Sequence, residues 1–84
     1  MLVPVVDMKL TGQNIISLRN RCGISVRDLQ HMLGFTTPQS IYKWQRGETL
    51  PTIENLAALA CILGVPMDAI LAVECRRMEG RPSC

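Results

Sequence analysis

The sequence predicts an all-α domain, a five-helix bundle preceded by a short extended N-terminal arm. Three observations predict it. The chain has 84 residues, enough for one core and no second domain. Apolar residues recur at helical spacing from Gly12 onward, in segments that open on capping residues. Each of the first four segments closes on a glycine: Gly23, Gly34, Gly47 and Gly64.

The elements follow in order. MLVPVV, residues 1–6, is apolar and β-prone and belongs to an arm over residues 1–10. Helix one runs from Gly12 to Cys22 with Thr11 as N-cap and Ile15, Ile16, Leu18 and Cys22 as its apolar set. Helix two opens with SVRD, a capping-box pattern. In it Ser25 accepts from the N3 amide and Asp28 favours the positive end of the helix dipole. Its stripe is Val26, Leu29, Met32 and Leu33. Helix three runs from about Thr37 or Pro38 to Arg46. Helix four starts after Thr52, with Glu54 in its first turn and Leu56, Leu59, Ala60 and Leu63 as its stripe. A fifth helix is expected from Pro66 to Glu74 or Arg77, with Met67, Ile70, Leu71 and Val73 inward. The helical body therefore spans residues 11–77, and residues 78–84 form a flexible tail.

Composition narrows the function. Hydrophobic residues make up 48% and charged residues 19%, which excludes a disordered chain. The most apolar uncharged stretch, Asn55 to Met67, is too short for a membrane span. The opening MLVPVVDMKL lacks a basic n-region and reaches Asp7 too early for a secretory signal, so the expected location is cytoplasmic. The four cysteines are scattered and form no CxxC pair, and His31 is the only histidine, so structural zinc and a disulfide scaffold are not expected. Cys22 and Cys61 fall at apolar helix positions as small hydrophobes, and Cys75 and Cys84 form the exposed pair with any redox role. No grouping of His, Ser, Cys and carboxylates has nucleophile-base logic, so no enzyme, cofactor or small-molecule ligand is expected.

Charge is divided unevenly. Lys9 to Glu48 holds six basic and two acidic residues, whereas Thr49 to Cys75 holds three acids and no base. A basic first half points toward an anionic partner, although solvated helix faces give the same balance.

On a helical wheel, Ile41 and Trp44 share one side of helix three. Gln39, Tyr42, Lys43 and Arg46 lie at i, i+3, i+4 and i+7 on the other. The only tryptophan and the only tyrosine thus have different jobs, Trp44 in the core and Tyr42 on the polar face. Between helices two and three lies a corner of about three residues, which describes a helix-turn-helix. In that motif the second helix enters the DNA major groove, where Gln pairs with adenine, Lys reaches guanine or phosphate, and Thr methyls touch thymine. An ordinary helical hairpin with a wet outer face is the bland alternative.

Leu29, Gly34, Ile41, Trp44, Gly47 and Pro51 in order, followed by TIENLAALACILGVPMDAIL, resemble the lambda-repressor-like, Cro/C1-type (XRE) helix-turn-helix family. The resemblance covers about Asn14 to Leu71. It implies a five-helix DNA-binding domain acting as a homodimer on two-fold double-stranded DNA. The implied base-reading positions are Thr37, Pro38, Gln39 and Lys43, with Thr36 beside them in the turn. Backbone contacts are implied near Ser25, Val26 and Arg46, Tyr42 flanks the groove, and the arginine often found in helix one matches Arg19.

This chain also departs from the family. Gly34 to Gly47 contains one more residue than the usual spacing, so the turn bulges or helix three starts late. Gln30 stands where most members have alanine, Val26 replaces a polar phosphate contact, and Gln45 stands where a glutamate often pairs with the Arg19 position. The leading expectation is a sequence-specific transcriptional regulator, a small repressor. The alternative is a protein-interaction or antitoxin-like module with a lapsed DNA face. Two surfaces could serve a dimer: the apolar arm, pairing with another chain's strand or folding over its own core, and the apolar side of helix five near Met67, Leu71 and Cys75.

Overall fold

A computed structural model describes residues 2–77. In chain order the elements are β1 (Leu2–Val6), α1 (Met8–Arg21), α2 (Val26–Leu33), α3 (Gln39–Arg46), α4 (Ile53–Leu63), a single 3-10 turn (Met67–Ala69) and β2 (Val73–Arg77). The protein is mostly helical, with four α-helices and one small antiparallel sheet in which β1 pairs with β2.

The helices close on one apolar cluster. Ile15 of α1, Leu29 of α2, Ile41 and Trp44 of α3, and Leu56, Leu59 and Leu63 of α4 are buried together with Ile70. Phe35, in the turn, meets Trp44 edge to face at 5.8 Å and 67°, a favourable arrangement for two ring quadrupoles. Helix α1 lies close against α3. A Cβ on Gly12 would stand 2.4 Å from the Trp44 carbonyl oxygen, so only glycine admits this approach.

The expectation of five helices in an all-α domain is overturned at both ends of the chain. Helix α1 begins three residues before Thr11, with Asp7 as its N-cap: Asp7 Oδ1 accepts from the Leu10 amide at 2.9 Å. Thr11 lies inside the helix, buried at 1% exposure. Its hydroxyl donates to the Asp7 carbonyl at 2.7 Å and accepts from the Ala72 amide at 2.9 Å. The Asp7 amide donates to the Ala72 carbonyl, and Asn14 Nδ2 donates to the Ile70 carbonyl at 3.0 Å. The Ile70 carbonyl and both backbone groups of Ala72 are thus engaged by residues 7–14, and a fifth helix does not continue through them. The chain leaves extended, and Val73 and its neighbours pair with the β-prone arm.

The proposed dimer surface on helix five is therefore absent, and the arm pairs within its own chain. Met32 is 56% exposed, outside the core stripe expected of it. Cys22 and Cys61 are exposed instead of apolar packing residues, because Cys22 caps the end of α1 and Cys61 falls on the outer side of α4. The expected tail, residues 78–84 with Cys84, lies outside the described residues. No described helix is long and apolar enough to cross a membrane.

Candidate nucleic-acid interface

The site begins with the corner between α2 and α3. Helix α2 opens on the reciprocal capping box read from SVRD. The Asp28 amide donates to Ser25 Oγ at 3.0 Å, and the Ser25 amide donates to Asp28 Oδ2 at 3.1 Å. The Ser25 backbone amide, then its hydroxyl, hold the Asp28 carboxyl below its usual value. The helix ends at Gly34, whose φ of 74° is the left-handed conformation that favours glycine. The Phe35 amide then bonds the Gln30 carbonyl at 3.0 Å.

The extra residue is absorbed here. Residues 36–38 form a run of bends, and α3 starts late, at Gln39, with Pro38 in the N-cap position. Gln30 belongs to the same solution. Its side chain is half-buried, and Nε2 donates to the Phe35 carbonyl at 3.3 Å, so no polar atom is orphaned at the corner.

On α3 the inside and outside separate as the wheel requires. Ile41 is fully buried and Trp44 is 4% exposed. Gln39, Tyr42, Lys43 and Arg46 are all exposed, presenting an amide, a phenol, an ammonium and a guanidinium along one stripe. Thr36 and Thr37 are exposed in the bends ahead of it, and Pro38 is half-buried. Lys43 and Arg46 lie in the last turn, where cations suit the helix dipole.

Three of the predicted residues are already engaged. Arg46 Nε donates to Glu48 Oε2, and this contact leads the causes that hold the Glu48 carboxyl below its usual range. Arg19 is half-buried: Nε donates to Gln45 Oε1 at 3.2 Å and Nη1 to the Ile24 carbonyl at 3.0 Å. Arg19 ties α1 to α3 and to the start of α2, and the bond to Gln45 is a charged-to-neutral hydrogen bond. Ser25 caps α2, and Val26, half-buried, is its first residue.

Sequence reasoning missed two neighbours. Arg27 and His31, exposed and one turn apart on α2, line an open groove of about 360 Å³ together with Pro38 and Tyr42. Their i, i+4 spacing was the available signal, since it places both on one side of α2. Together the α3 stripe, Arg27 and His31 make a surface of donors suited to base edges and phosphates. Among the described residues, no group of three or more His, Cys, Asp or Glu side chains could hold a metal ion.

A braced first helix, a short corner and a second helix with its polar face outward define a helix-turn-helix protein. The sequence profile of the HTH_3 helix-turn-helix family matches residues 15–70, and the chain belongs to that family, of the Cro/C1 type. No curated protein matches the chain in sequence. Among solved structures, the fold is similar to the restriction-modification controller protein C.AhdI from Aeromonas hydrophila, with a TM-score of 0.69, 23% identity, and coverage of 76% of this chain and 96% of that one. It is also similar to the DNA-binding domain of BldD, with a TM-score of 0.66, 24% identity, and coverage of 79% and 94%. The clp gene regulator ClgR from C. glutamicum superposes with a TM-score of 0.65 at 22% identity over 75% of this chain and 80% of that one.

Proposed function

We propose that the protein is a sequence-specific, DNA-binding transcriptional regulator that reads the major groove with α3 and acts as a homodimer, most simply as a repressor. The observation that carries this reading is the stripe of Gln39, Tyr42, Lys43 and Arg46, exposed on a helix whose opposite side is locked into the core by Ile41 and Trp44. A helix fixed on one side and polar on the other is what groove insertion needs.

Gln39 and Lys43 take the base-reading role, with Thr36, Thr37 and Pro38 at the groove's edge. Tyr42, Arg46 and the N-terminus of α2 at Ser25 meet phosphates and sugars, and Arg27 and His31 extend that contact. Arg19 acts through Gln45, holding α3 at its angle. The relatives named above include a controller, a DNA-binding domain and a gene regulator, which supports this reading over an interaction module with a lapsed DNA face.

Binding of the full chain to a random duplex across a salt series tests it. The logarithm of affinity should fall with log salt by about 0.9 per phosphate neutralised. Lys43→Ala should reduce binding, whereas a flat salt dependence at micromolar protein would sink the reading.

A further inference from the structure

The ribbon formed by β1 and β2 has two unequal edges. Every residue of β2, Val73–Arg77, is exposed, and among the described residues these two strands make up the whole sheet. A two-stranded ribbon is marginal by itself in water. On β1, Pro4 interrupts the row of backbone donors, which spoils that edge for further pairing. β2 contains no proline, so the N–H and C=O groups that point away from β1, those of every second residue, form a template for another strand.

The sequence of β2 selects the strand it fits. In VECRR, Cys75 is central and is flanked by Glu74 and Arg76. Two copies paired antiparallel about Cys75 set each Glu74 opposite the partner's Arg76 and each Arg76 opposite the partner's Glu74. Directly opposite residues share a face, so both ion pairs form on the same side of the sheet. Glu74 and Arg76 already meet along their own strand, Arg76 Nε donating to Glu74 Oε1, with both side chains at least half exposed. Cross-strand pairing only re-aims them.

The other face gains as well. The register sets Val6 opposite Val73, Pro4 opposite Cys75 and Leu2 opposite Arg77. Leu2, Val6 and Val73 are exposed. Joining two ribbons brings the two Cys75 side chains together on this face and sets each Val73 opposite the partner's Arg77, in a sheet of four strands, more than the three needed for independent stability.

We propose that the open edge of β2 is the homodimer interface, two copies pairing antiparallel about Cys75 into a four-stranded sheet. The proposal rests on the DNA-binding reading for its purpose, a two-fold pair of reading helices, and on the ribbon alone for its geometry.

The test uses the full chain with Cys22, Cys61 and Cys84 replaced by serine, leaving Cys75. Directly opposite residues of an antiparallel pair stand about 4.5–5.5 Å apart at Cα. That is within the roughly 4.4–6.8 Å a disulfide spans. Mild oxidation should therefore convert the protein to a Cys75-linked dimer in high yield. Under reducing conditions, sedimentation should show a dimer, weakened roughly tenfold by Glu74→Arg because two like-charge contacts replace two ion pairs. Adding Arg76→Glu should restore it. Circular dichroism confirms that each variant is folded, and cross-linking reports on the interface without any charge change.

A chain that stays monomeric throughout, or a dimer that neither responds to Glu74→Arg nor links through Cys75, overturns the interface. So does Glu74→Arg tightening duplex binding at unchanged mass, which would mean that the ribbon touches DNA. Random-duplex binding measured in parallel separates the two claims: its absence from an intact dimer counts against the DNA reading only.

Discussion

Gln30 Nε2 donates to the Phe35 carbonyl at 3.3 Å, joining the unusual residue of α2 to the turn that is one residue longer than its family's. The two departures compensate each other. The glutamine side chain satisfies the Phe35 carbonyl in the turn. Phe35 is then free to turn its ring onto Trp44.

Gln30→Ala should therefore cost about 1 kcal/mol of stability, the worth of a half-buried hydrogen bond. It should also weaken DNA binding, because the turn sets the start of α3. Denaturant unfolding and duplex binding of the same variant check both. Shortening the turn by deleting Thr36 should be worse in the wild type than in Gln30→Ala, where alanine leaves room for a tight corner.

Gly12→Ala should destabilise the protein by about 1–3 kcal/mol, since overpacking against backbone cannot be relieved by a rotamer change. The added methyl would meet the Trp44 and Gln45 carbonyl oxygens. The thermal midpoint should fall by roughly 4–8 °C per kcal/mol.

Most of the fold was legible in the sequence where local chemistry decides it. SVRD encodes the cap of α2 within four residues, and Ile41 and Trp44 against Gln39, Tyr42, Lys43 and Arg46 encode two sides of α3 through spacing alone. The fifth helix was misread because residues 66–74 have a helix-like apolar pattern. Their state is decided by partners far away in the chain: Asn14 takes the Ile70 carbonyl, Thr11 and Asp7 take the backbone of Ala72, and β1 supplies a strand. Thr11 was misread for a related reason. A threonine before an apolar run looks like an N-cap, and nothing local shows that its hydroxyl bridges Asp7 and Ala72. Within the site, the α3 stripe was readable, while the engagement of Arg19 and Arg46 by Gln45 and Glu48 depends on tertiary geometry.

Gln45→Glu should convert the tie to Arg19 into a charge-assisted pair and raise stability by up to about 1 kcal/mol, with the gain shrinking in high salt. Thermal unfolding at two ionic strengths measures it. An unchanged midpoint at low salt would show that Arg19 prefers the Ile24 carbonyl.

Acid should expose the capping box. The folded-state carboxyl of Asp28 lies below its ordinary value of 3.8, chiefly through the Ser25 amide. Its contribution is therefore present above that pH and is lost as pH falls through the lowered folded value. Asp28→Asn should flatten the fall in stability on the acid side of pH 4 and leave its shape near neutrality unchanged. Stability curves from pH 7 down to about 2 show the difference.

On the proposed reading, Glu48 competes with DNA for Arg46. Glu48→Gln should tighten duplex binding, because Arg46 no longer leaves an ion pair and a negative charge disappears beside the groove. Arg46→Ala should weaken binding and reduce the salt slope by about 0.9, one phosphate's worth. Equal slopes for Arg46→Ala and the wild type would place Arg46 off the DNA.

The most direct test of the central claim, that α3 reads base sequence, is selection of bound sites from a randomised duplex pool, run with the wild type and with Gln39→Ala. The wild type should enrich a palindrome, and Gln39→Ala should relax the preference at one position in each half-site while keeping affinity for random duplex. Failure of the folded wild type to enrich any sequence, or identical enriched sites from both proteins, would contradict it.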